Sequence, residues 1–249
     1  MINLRTKQEI EYLRVANQVV ANTYKILLET IRPGITTAEL DKIAENYIRG
    51  QGAEPAFLGY RGYPASLCVS INDEVVHGIP GKRKLKKGDV VSLDLGAEKN
   101  GYYGDSALTV AVGSIPERVQ ELIRVTEESL YKGIEQATVG NRLHDISAAV
   151  QGHVEAHGFS VVRQFVGHGI GQQMHEDPQI PNFGKAGTGV RLKEGMVFAI
   201  EPMVNISGWE VKILEDNWTV VTIDGSISAH FEHSMAITKD GPLILSGRD

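Results

Sequence analysis

Four carboxylates in this 249-residue chain stand where an unpaired negative charge is costly. Asp94 is flanked by Val90, Val91, Leu93 and Leu95, a near-continuous apolar run of the kind that forms a strand covered on both faces. Glu201 in MVFAIEPMV and Glu232 in HFEHSMAI share that setting, and Asp105 follows Asp94 across an Asn100-Gly101 pair. Together they would repel one another, and two divalent cations would neutralise them. Imidazoles come from FVGHGIGQQMHEDP, which holds His168 and His175. Gly167, Gly169 and Gly171 predict a tight loop at a strand end there, and the spacing matches neither the HExxH helix nor a dinucleotide fingerprint. Oxygen-rich sites with one or two imidazoles suit manganese, iron, cobalt or zinc without choosing among them. His144, His153, His157, His230 and His233 read as surface or structural histidines.

Such side chains need strands to aim them. Asn100-Gly101 between two strand-like runs is a strong hairpin signal. A two-residue loop pairs Lys99 with Tyr102, Gly96 with Asp105 and Leu95 with Ser106, so Asp94 and Asp105 fall on one face as diagonal neighbours, about 7–8 Å apart at the backbone. Asp224-Gly225 predicts a second hairpin between TVVTI and SISAHFEHSMAI, with Glu232 well along its strand.

The chain also repeats itself. KLKKGDVVSLDL and RLKEGMVFAIEP place Asp94 and Glu201 at the same position, 107 residues apart, and VVHGIP echoes VGHGIG, setting His77 against His168. Gly34 and Gly140 precede matching helical periods, the first opened by a capping box at Thr36 and Glu39. A long helix around Lys7 to Leu28 has its counterpart beginning near Ser114, with Glu117 at capping-box spacing and Pro116 in the first turn. Two related halves of helices followed by antiparallel strands, about 1–115 and 116–249, predict an α+β fold packed as a single catalytic domain over 1–249.

Bulk composition limits the alternatives. A net charge of −6, with 25 Lys and Arg against 31 Asp and Glu, argues against a nucleic-acid surface, and the basic run from Lys82 to Lys87 reads as a solvated turn. Cys68 is the one cysteine, which excludes an intramolecular disulfide and fits a reducing, cytoplasmic setting. The charged N-terminal stretch predicts neither a signal peptide nor a membrane span.

NDEVVHGIP, SLDLGAEKNGYYGDSA, GHGIGQQMHEDP, IEPM and FEHS, in that order, resemble the pita-bread (creatinase/aminopeptidase) metallopeptidases, and among them the short type I aminopeptidases that remove N-terminal methionine. The resemblance covers nearly the whole chain. It implies Asp94 as ligand of one metal, His168 and Glu201 as ligands of the other, Asp105 and Glu232 as bridges, and Glu201 as proton shuttle. By the same resemblance His175 bonds the scissile carbonyl oxygen and His77 contacts the scissile amide or the residue after it. Tyr60, Tyr63, Cys68 and Trp218 match the methionine pocket, whereas Phe57 stands where cysteine is common and Met174 where phenylalanine is usual. A monovalent cation near Asn72 and Ser228 is implied too.

The implied activity is removal of initiator methionine from nascent polypeptides with a small second residue, by a cytoplasmic monomer that associates with ribosomes. Two rivals share the fold: an Xaa-Pro aminopeptidase or prolidase, and a binding protein without activity. The first usually carries an extra N-terminal domain, and the second has no reason to keep five ligands clustered.

Overall fold

The computed structural model describes residues 2–248. Its first half runs α1 (Lys7–Thr30), α2 (Thr37–Gly50), β1 (Glu54–Pro55), β2 (Cys68–Ile71), β3 (Glu74–Val76), β4 (Val90–Lys99) and β5 (Tyr102–Ala111). The second runs α3 (Glu117–Gln136), α4 (Leu143–Ala156), β6 (Ser160–Val161), β7 (Gly167–Gly169), β8 (Glu176–Ile180), β9 (Val197–Ile200) and β10 (Met203–Asn205). It ends with β11 (Val211–Ile213), β12 (Val220–Thr222), β13 (Ser228–His230), β14 (Glu232–Thr238) and β15 (Gly241–Ile244). Each half thus opens with two helices and continues in strands, an α+β layout. The repeat extends to backbone conformation, since Gly34 and Gly140 adopt φ of 93° and 98° before α2 and α4. Any side chain would be strained there, so glycine stands at both copies.

Capping boxes at Thr6–Glu9 and Thr36–Glu39 start α1 and α2. The start of α3 differs from expectation: Ser114 makes no cap, Pro116 occupies the N-cap, and the helix begins at Glu117. The proline φ of −57° leads the chain into the helix without a side-chain bond.

All strand pairs are antiparallel, and the main sheet runs β1-β4-β5-β14-β9-β7-β8, with β2 on β4 and β15 on β14. The β4–β5 hairpin has the register that a two-residue loop dictates: Lys99 faces Tyr102, Gly96 faces Asp105 and Leu95 faces Ser106. β14 joins the halves, pairing with β5 at Glu232 and His233 and with β9 from His233 to Ala236.

The expected Asp224-Gly225 hairpin does not form. β12 pairs with β11 and β3, and β13 with β10, so the strands flanking the turn enter different three-stranded sheets. Asp224 still holds the turn, accepting from the Ser226 and Gly208 amides, but the strands find their partners elsewhere. Glu232 is therefore the first residue of β14 rather than well along it.

The large core packs Tyr24 and Leu27 of α1 against Leu93, Leu95, Phe198 and Met235 of the sheet. α1 lies so close to β5 that a Cβ on Gly104 would come 2.6 Å from the Asn17 backbone nitrogen. Gly104→Ala is expected to destabilise the protein by about 1–3 kcal/mol, roughly 2–12 °C in Tm for a chain of this size. A thermal melt that matched the unsubstituted protein would show that α1 is not seated this way. No helix among the described residues is long and apolar enough to cross a membrane.

Candidate metal centre

Five strands bring one group each to the middle of the main sheet. Asp94 comes from β4, Asp105 from β5, His168 from β7, Glu201 from the residue after β9, and Glu232 from the start of β14. Neighbouring backbone is tied down around them. Asn17 of α1 accepts from the Asp105 amide at 3.2 Å, and Tyr24 donates to the Ser106 carbonyl. Ser106 Oγ donates to the Glu232 carbonyl at 2.7 Å and Ser234 Oγ to the Asp105 carbonyl at 2.8 Å, a reciprocal pair locking β5 to β14. Arg248 reaches the same place, donating to Ser106 Oγ and the Ala107 carbonyl. Asn182 donates to the Glu201 carbonyl at 2.9 Å.

The side chains themselves are less satisfied. Asp94 Oδ1, Asp105 Oδ1 and Glu232 Oε1 are buried without a hydrogen-bond partner. Burial pushes the Asp94 carboxyl up to about 7. Burial, reinforced by neighbouring carboxylates, pushes Asp105, Glu201 and Glu232 well above the usual range. His168 lies among them, Nε2 being 3.5 Å from Glu201 Oε1 and 3.7 Å from Asp105 Oδ2. Its other nitrogen, Nδ1, is 3.0 Å from the Gly169 carbonyl, which accepts a hydrogen bond from Nδ1–H and leaves the Nε2 lone pair directed at the acids. Burial lowers this imidazole to about 3, so it is neutral.

Orphaned carboxylate oxygens facing a neutral imidazole make a donor set that fits a divalent cation. Asp105, His168 and Glu232 each offer a ligand atom within 4.8 Å of the others, and no other such trio is found among the described residues.

A cavity of about 190 Å³ opens onto this cluster, and all thirteen residues assigned from the sequence to the divalent metals and the substrate line it. Tyr63 and Trp218 meet edge to face at 5.0 Å beside the buried Cys68, Phe57 packs against the same cluster, and the buried Met174 also lines the cavity. Tyr60 lies flat against His175, with its hydroxyl 2.8 Å from Nδ1. His77 sits at φ 60°, facing Phe165 and Trp218. Burial lowers both His77 and His175 to about 4.

Some lining residues were not foreseen. Phe165 and Met203 look like ordinary apolar residues in the sequence, yet both face the cavity. Arg61, held at φ 49°, adds a charge that helps to depress His175. The loop expected at His168 is a short strand between β8 and β9. Gly167 and Gly169 are needed because Cβ atoms would run into the Ala199 and Asp177 carbonyls.

Residues 11–239 match the sequence profile of metallopeptidase family M24. A methionine aminopeptidase of Clostridium perfringens is 55% identical over 246 residues, covering 99% of both chains. The crystal structure of a methionine aminopeptidase from Rickettsia prowazekii superposes with a TM-score of 0.98 at 41% identity, covering 99% of this chain and 100% of that one. A prolidase from Pyrococcus furiosus gives a TM-score of 0.81 at 24% identity, covering 99% of this chain but 66% of its own, a likeness of fold.

Proposed function

The chain belongs to metallopeptidase family M24, and we propose on that footing that it hydrolyses the peptide bond after an N-terminal methionine. The observation that carries this reading is a cluster of four carboxylates, two buried and two half-buried, and one imidazole opening onto an apolar cavity sized for one side chain. Asp94, Asp105, His168, Glu201 and Glu232 would hold two divalent ions, manganese, iron, cobalt or zinc, whose charge would balance the four acids. When bound, such ions activate water and polarise a carbonyl.

The chain's own groups do the rest. Glu201 takes the proton from the attacking water and carries it to the departing amine. Tyr60 donates to His175 Nδ1, which leaves His175 Nε2–H free to bond the scissile carbonyl oxygen. His77, held neutral by burial, lies across the cavity to contact the scissile amide or the next residue. Tyr63, Cys68, Met174 and Trp218 surround the methionine side chain, and the thiol is kept protonated by burial, so it packs rather than reacts.

Several finer points belong to the same reading. Residues 1–249 act as one domain, on nascent chains with a small second residue, as a cytoplasmic monomer at the ribosome. Sedimentation with ribosomes and size-exclusion chromatography test the last two. A monovalent cation at Asn72 and Ser228 is supported by the turn there, where Asn72 adopts φ 63° and its carbonyl accepts from the Ser228 amide at 2.9 Å.

The deciding experiment strips the protein with a chelator, restores manganese, iron, cobalt or zinc in turn, and compares Met-Ala-Ser with an Xaa-Pro peptide. Turnover of Met-Ala-Ser with at least one metal is expected. Preference for Xaa-Pro would move the chain to its prolidase relatives, and no turnover with any metal would leave a binding protein.

A further inference from the structure

His230, on β13, is a fully enclosed imidazole to which the mechanism above gives no work. Its backbone is fixed from both sides by one hydroxyl: the His230 amide donates to Thr109 Oγ1 at 2.9 Å, and Thr109 Oγ1 lies 2.8 Å from the His230 carbonyl. Its ring has no hydrogen-bond partner at either nitrogen. A buried polar group left in that state carries an uncompensated desolvation penalty, so a partner is to be sought nearby. The one acidic group within reach is Glu201, whose Oε2 is 3.9 Å from His230 Nε2. The other oxygen of the same carboxylate, Oε1, faces His168 Nε2. Glu201 therefore stands between two imidazoles, one turned toward the cation cluster and one behind it. A neutral imidazole has one N–H to give.

We propose that His230 is a positioning residue for Glu201: Nε2–H donates to Glu201 Oε2 and so holds Oε1 toward His168. At 3.9 Å the bond is not closed, and an approach of roughly 1 Å, or one bridging water, closes it. A fixed carboxylate serves both duties assigned to Glu201, because one oxygen is oriented for a cation while the proton-carrying geometry is preserved. The inference rests on the reading of Glu201 as ligand and proton carrier.

The test compares the unsubstituted protein with His230→Leu and His230→Gln. Each is prepared metal-free, titrated with Mn²⁺ by calorimetry, then loaded and assayed on Met-Ala-Ser. His230→Leu is expected to weaken one class of Mn²⁺ sites by about 10–100-fold and to lower kcat while KM changes by less than about threefold. His230→Gln, which restores an N–H at that reach, is expected to recover both to within about threefold. Unsubstituted affinity and kcat in His230→Leu overturn the proposal, as does a glutamine variant as impaired as the leucine one. If the unsubstituted protein binds no Mn²⁺, the functional reading fails and takes this inference with it; binding without sensitivity to His230 fails the inference alone. Should the leucine variant not fold, ¹⁵N shifts of the His230 ring in the unsubstituted protein decide, Nε2–H being the expected tautomer and Nδ1–H the contrary one.

Discussion

Glu201→Gln in the metal-loaded protein is expected to keep the fold and to lower kcat on Met-Ala-Ser by about 10²–10⁴-fold, the usual worth of a positioned acid–base group. The exchange keeps size and a carbonyl oxygen, so packing around the end of β9 is preserved, as is the Asn182 bond to the Glu201 carbonyl. What it removes is a group that can take a proton from water and release it to an amine. KM is expected to move little, because Met174, Tyr63 and Trp218 still surround the substrate side chain. Metal content must be measured beside the rates, since Glu201 also lies 3.5 Å from His168 on the proposed cation face. Near-normal kcat in a fully loaded variant would contradict the proton-carrying role.

Removing the metal is expected to change both the stability and its dependence on pH. In the metal-free protein Asp94, Asp105, Glu201 and Glu232 all have carboxyls raised by burial, Asp94 to about 7. A group raised in the folded state contributes stability below its unfolded pKa and loses it as pH climbs through the folded value. The buried histidines act oppositely: His77, His168, His175, His230 and His233 are lowered to about 3–4, so their penalty appears as pH falls below 6.5 and is constant above it. Between pH 7.5 and 8.5, where unfolded histidines are already about nine-tenths neutral, the carboxylates dominate, and Tm of the metal-free protein is expected to fall across that window. Bound cations hold the acids ionised, which removes the decline. At a metal concentration 1,000 times Kd the gain is about 4 kcal/mol, on the order of 10 °C for a chain of this length. Calorimetric melts with and without Mn²⁺ check it. A metal-free Tm that stays level or rises over the window would refute the carboxylate cluster as described.

Much of this centre is readable from the chain because its first two acids sit on a local device. The Asn100-Gly101 loop fixes the β4–β5 register, and register fixes which face Asp94 and Asp105 share. The repeat does the same for Glu201, which directly follows β9 at the position that Asp94 holds within β4. What stayed hidden depended on distant partners. Asp224-Gly225 is a true turn, but nothing local tells β12 to join β3 or β13 to join β10. Glycines around His168 look like loop residues, although they serve the close approach of two carbonyls. His230 gives no local signal, since its interest comes from Glu201 standing opposite, 29 positions earlier in the chain.

The place of β14 between β5 and β9 has a consequence for how a new copy comes into service. Asp94 and Asp105 can be presented as soon as residues 90–111 have been made, by a hairpin that closes on itself. Glu232 reaches them only after 127 further positions beyond Asp105 have been synthesised, in the kind of non-local pairing that is slow to form. A half-made chain thus offers a divalent ion two acids but neither His168 nor the two glutamates. The proposed full set of five donors exists only once β14 has paired with β5 and β9.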